Sequence, residues 1–243
     1  VSEAAPVADD VADTRRGNAA LLIALVVATC GLVYELLAGT IASWVLGDTV
    51  GQFAAVIGLY LAAMGVGSYL SAKVEQDITT RFIEVEIALA VVGGLSVPAM
   101  FLVFERALAF RALLYGSVFV IGALVGMEIP LLLRVLGERS SFRHAVARVL
   151  AFDHLGSLLG SLAFAFWLAP KAGVLRTGLL VGALNALAAI VSTWALAPVR
   201  RPMLLRAVSV AVLSCLAALV FVAPTLERAV DRDDVSQSST RAP

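Results

Sequence analysis

Four acidic residues stand where apolar residues are expected. Glu35 lies inside the run from Asn18 to Gly47, flanked by ALLIALVVATCGLVY and LLAGTIASWVLG. Glu86, Glu128 and Asp153 have similar surroundings. A carboxylate in such a run costs about 2.5–3.5 kcal/mol on membrane-insertion scales, and it usually faces a bundle interior or a wet cavity. The chemistry these acids offer is attraction of a cation in a partly dry space. Glu35, Glu128 and Asp153, with Tyr34 beside Glu35, are the candidate ligand-binding residues. Glu86 reads more simply as an interfacial group at the edge of its helix.

The elements that must hold these acids follow from composition. Of 243 residues 60% are hydrophobic and 15% charged, where a soluble domain carries about 25% charge. Mean hydropathy is +0.95. Apolar runs of about 20 residues repeat along the chain and do not alternate polar with apolar, which points to membrane-spanning helices and not to barrel strands. The expected fold is all-α, a polytopic helical membrane bundle of about seven transmembrane helices in the lipid bilayer. The formal net charge is zero, so no basic field marks a nucleic-acid partner. Cys30 and Cys215 sit in apolar runs and read as small core residues.

The spans are placed at 19–46, 51–72, 83–104, 108–133, 148–169, 173–197 and 204–224. Residues 1–18 and 225–243 read as disordered tails around a transmembrane domain over 19–224. Pro170, Pro198 and Pro224 fall where the last three spans should end. Pro98 and Pro130 fall inside spans and free backbone carbonyls. Basic residues set the orientation. With the N-terminus in the cytoplasm, the inner segments hold Arg15, Arg16, Lys73, Arg81, Arg134, Arg139, Arg143, Arg148, Arg200, Arg201 and Arg206. The outer ones hold only Arg106, Arg111, Lys171, Arg176, Arg228, Arg232 and Arg241. The excess of basic residues inside favours this arrangement, a multi-pass protein of the cell membrane with a cytoplasmic N-terminus. All four acids then fall in the cytoplasmic half or the centre of their spans.

Small residues supply close helix contacts. Gly122 and Gly126, Gly156 and Gly160, and Gly178 and Gly182 each form G-x-x-x-G, a spacing that lets helix backbones approach. Asp153 shares a helix face with Gly156 and Gly160, whereas Glu128 is about 200° round its helix from Gly126. His154, next to Asp153, is expected on a different face, and His144 reads as a solvated loop residue. No Gly-rich phosphate loop, H-E-x-x-H or Cys/His metal spacing occurs, so no metal, cofactor or catalytic residue is assigned.

These residues also carry a family resemblance. Cys30-Gly31-Leu32-Val33-Tyr34-Glu35-Leu36, Ser43-Trp44-Val45-Leu46-Gly47, Gln52-Phe53, Ile57-Gly58 and Met64-Gly65-Val66-Gly67-Ser68-Tyr69-Leu70-Ser71 resemble the membrane region of transmembrane, spermidine-synthase-like proteins, the membrane-bound polyamine aminopropyltransferases. Gly126-Met127-Glu128-Ile129-Pro130-Leu131 looks like a second signature. Phe152-Asp153 with Gly156, Gly160, Pro170 and Gly173 looks like a third. The likeness covers about residues 28–190. It implies a cytoplasmic methyltransferase-like domain that binds decarboxylated S-adenosylmethionine and transfers an aminopropyl group to an amine such as putrescine. The sequence holds no Gly-rich nucleotide motif and only about 19 residues after its last expected span, so the family's catalytic residues are not carried over. An odd number of spans would put the C-terminus outside, against the position of that domain.

The leading expectation is a membrane module that anchors a separate, soluble aminopropyltransferase or binds polyamine in a carboxylate-lined cavity, without catalysis by this chain alone. A transporter of another small cation, proton-coupled through Glu35, is one alternative. A structural or assembly protein, in which the acids only hold helices together, is the other. A homo-oligomer is compatible with each.

Overall fold

The computed structural model describes residues 5–137, 142–196 and 198–240. These form α1 (Ala5–Leu46), α2 (Thr49–Ser71), α3 (Ile78–Leu102), α4 (Ala107–Gly137), α5 (Phe142–Ala163), a π-helical segment (Phe164–Ala172), α6 (Gly173–Ala195) and α7 (Pro202–Thr240). The expected all-helical chain is found, with no strand among the described residues. Helix α1 starts at Ala5 and α7 runs past Pro224 to Thr240, so helix extends into the segments that composition marks as tails. His144 falls within α5, not in a loop.

Six stretches among the described residues are long and apolar enough to cross a membrane: Arg16–Leu46, Thr49–Ser71, Ile78–Leu102, Ala107–Leu136, Arg143–Ala195 and Pro202–Ala223. The expected count of seven separate spans is therefore not matched. The fifth and sixth form one helical stretch because Pro170 does not end the helix. A proline cannot complete the i→i−4 ladder. Here the backbone widens to π-helix from Phe164 to Ala172 and carries Pro170 inside it. The change of direction comes at Gly173, whose φ of 77° suits a residue without Cβ. Thr177 Oγ1 donates to the Gly173 carbonyl at 2.6 Å and lies 3.3 Å from that of Leu168. In a straight helix Leu168 and Thr177 would be about 13.5 Å apart along the axis, so the chain folds back within this stretch.

Other ends are set by local chemistry. Gly47 and Asp48 both take positive φ between α1 and α2, and Asp48 caps α2 by accepting from the Gly51 N–H at 3.2 Å. Pro98 and Pro130 lie inside α3 and α4 as expected.

The most extensive packing joins helices that are not neighbours in sequence: α2 with α4, α3 with α6 and α1 with α5. Each pair uses one of the three G-x-x-x-G motifs. A Cβ on Gly122 would stand 2.8 Å from the Tyr60 carbonyl oxygen, and one on Gly126 2.6 Å from Met64 Cα. On Gly160 it would lie 2.8 Å from the Thr29 carbonyl oxygen, and on Gly182 2.7 Å from Gly94 Cα. Gly178 faces Val97. The register gives direction. Gly156 meets Leu25 and Gly160 meets Thr29, so α1 and α5 run the same way. Gly178 meets Val97 and Gly182 meets Gly94, so α3 and α6 run in opposite senses.

Candidate functional site

The polar interior is assembled where α1, α2, α3, α4 and α6 meet. Helix α1 contributes Cys30 and Tyr34, α2 Tyr60, α3 Glu86, α4 Glu128 and α6 Asn185. All six are buried. Glu86 is 0% exposed and Glu128 3%, which corrects the reading of Glu86 as interfacial. Helix α3 begins at Ile78, five residues before the expected start of its span, and so carries Glu86 two turns in.

The carboxyl groups of Glu86 and Glu128 lie within side-chain hydrogen-bonding range of each other. Neither oxygen of Glu86 meets a donor outside this pair. Around them the neutral groups are mostly satisfied. Tyr34 donates its hydroxyl to the Leu89 carbonyl at 3.4 Å and accepts from Asn185 Nδ2 at 3.3 Å. Tyr60 donates to the Gly31 carbonyl at 2.9 Å, and Cys30 Sγ lies 3.9 Å from the Val181 carbonyl. Asn185 Oδ1 is buried without a partner. Gly93 makes room for the Tyr34 ring: a Cβ there would stand 2.6 Å from the phenol oxygen.

Glu35 and Asp153 are half-buried. Tyr60 stands within electrostatic reach of Glu128, Glu35, Asp153 and Cys30, and so of all three acids expected to bind a ligand. Tyr34 lies on the Glu86 side of that group. His154 is exposed, hydrogen-bonded to the Leu150 carbonyl at 2.6 Å, and its Nδ1 is 3.7 Å from Asp153 Oδ2. Consecutive Cβ atoms point apart, and the two residues differ in exposure, but the His154 ring turns back along α5 and comes near Asp153.

A cavity of about 10 Å³, roughly one water in size, lies on the other side of the tyrosines. Tyr34, Tyr60, Ser96 and Ser117 give it polar walls, and Leu37, Ile41 and Met100 are among its apolar ones. Among the described residues no three His, Cys, Asp or Glu side chains are placed to hold a metal ion. Sequence reasoning missed Tyr60 and Asn185 as parts of this interior. A tyrosine and an asparagine in apolar runs were the available signals, but only packing brings them together.

The fold and site thus define a bundle of long apolar helices with carboxyl groups buried at its centre. Comparison with known proteins gives this class a context. The chain is 48% identical over 194 residues to a polyamine aminopropyltransferase of Leptospira interrogans, covering 79% of this chain and 39% of that protein. It is 50% identical over 183 residues to polyamine aminopropyltransferases 1 and 2 of Ralstonia nicotianae, covering 74% of this chain and 35% and 36% of theirs. The chain is therefore related to proteins of that name, and it spans less than two fifths of the length of these relatives. No family model and no solved structure matches it.

Proposed function

We propose that this chain is an integral membrane module of a polyamine aminopropyltransferase system that handles the polyamine cation in its carboxylate-lined interior. The relation to proteins named polyamine aminopropyltransferase, at 48–50% identity, carries the reading. The site chemistry agrees with it. A polyamine places ammonium groups along an apolar chain, and separated acids in a partly dry space suit that pattern. Glu128, Glu35 and Asp153, all within electrostatic reach of Tyr60, are such a set. The six long apolar helical stretches among the described residues support a multi-pass place in the cell membrane, and the distribution of Lys and Arg favours a cytoplasmic N-terminus.

A second reading keeps the membrane location but makes the bundle an anchor for a soluble aminopropyltransferase. The limited share of the relatives that this chain spans favours keeping it in view. Thermal denaturation of the purified chain in detergent, with putrescine or spermidine added, separates the two. Handling of polyamine requires a dose-dependent rise in Tm, since a ligand at 100 times its Kd adds about 2.7 kcal/mol, and Glu128→Gln should abolish it. Unchanged melting of a folded protein at millimolar polyamine would sink the polyamine reading and leave the anchor.

A further inference from the structure

Inside the bundle, three acceptor oxygens meet no donor outside the Glu86–Glu128 carboxyl pair. Two belong to Glu86 and one is Asn185 Oδ1; the side chains are 0% and 1% exposed. Buried polar groups are almost always hydrogen-bonded, and a buried acid without a counter-charge is costlier still. Helices α3 and α6 are antiparallel, with Gly182 seated on Ala90 and Gly94. Glu86 lies one turn before Ala90, and Asn185 lies about one turn after Gly182 on the facing helix. Tyr34 ties them together: its hydroxyl binds the Leu89 carbonyl and Asn185 Nδ2, and Glu86 is within electrostatic reach of it. Glu128 closes the group from α4.

What would satisfy this constellation has several N–H donors, positive charge and small size. A divalent metal is a poor match, because among the described residues no three metal-binding side chains come together. We infer that Glu86, Glu128 and Asn185 form a pocket for a single primary ammonium group, with Tyr34 as its wall. The inference rests on the proposed handling of amines and makes it specific. The pocket takes the charged end of the amine, while Glu35 and Asp153, half-buried and farther out, meet the rest of the cation. The ammonium donates to Asn185 Oδ1 and to the facing carboxyl groups, which removes the three orphaned acceptors at once. Tyr34 is a positioning residue: it holds the Asn185 amide so that Oδ1, and not Nδ2, faces the pocket.

The test is thermal shift of the full chain with putrescine, spermidine, ammonium chloride and, as an ionic-strength control, potassium chloride. Wild type should be stabilised by the amines and not by potassium. Glu86→Gln should weaken the amine response at least tenfold. Asn185→Ala, which leaves both acids in place, should weaken it several-fold and covers the case in which the Glu86 variant does not fold. A response to ammonium chloride as strong as that to putrescine supports the pocket and makes the ammonium ion its ligand. Wild-type stabilisation that survives in both variants overturns the pocket while leaving polyamine handling intact. An amine response no larger than that to potassium overturns both.

Discussion

The bundle treats its charges in two opposite ways. At the end where α3 begins and α6 gives way to α7, charged side chains find partners. Arg200 binds Asp77 at 3.0 Å, and its backbone N–H donates to Thr80 Oγ1 at 2.9 Å. Arg206 donates to Thr193 Oγ1 at 2.8 Å and lies 4.6 Å from the Trp194 ring centre. At the centre, by contrast, Glu86 faces another acid and has no other donor. The first region is explained by the fold it holds together. The second is not: Glu86 meets no partner but another acid. Groups that the fold does not need are the ones to connect with a ligand.

The comparison breaks most visibly at Glu86. Glu86→Leu should leave stability unchanged or raise it, since it replaces a buried acid that has no counter-charge by an apolar side chain. Chemical or thermal denaturation without ligand checks this, and a large loss would mean that Glu86 is structural after all. Arg206→Met keeps the apolar stem but removes the bond to Thr193 and the charge over Trp194. It should cost about 1–2 kcal/mol, read as a lower Tm with no change in amine response. Asp77→Asn should matter least. Its ion pair with Arg200 is largely exposed, so the expected loss is under about 1 kcal/mol and shrinks in high salt.

Composition alone made the helical class plain, because no soluble core could absorb so many apolar residues. The glycine pairs were legible as contacts but not as partnerships. Spacing shows that Gly178 and Gly182 share a face, and only the packed bundle shows that Val97 and Gly94 oppose them. Pro170 misled because a stop signal presumes that the α-helical ladder is the only one available, and the π-helical segment is another. Glu86 reads as too near a helix end because Arg81, counted with the inner segments, puts the start of its span at 83, whereas α3 starts at Ile78. Thr80 serves as the acceptor for the Arg200 backbone. Asn185 is a lone amide in an apolar run. Its relation to Tyr34, 151 residues away, has no local trace.

The pairing of distant helices also has a consequence in time. Thr29 and Gly156, in contact across the α1–α5 interface, are 127 residues apart. At a synthesis rate of about 5–20 residues per second, Thr29 is made roughly 6–25 s before its partner exists. During that wait the face of α1 that will receive α5 must be covered by lipid or by another protein. The seat that α1 offers to α5 thus stands open while three further helices are made.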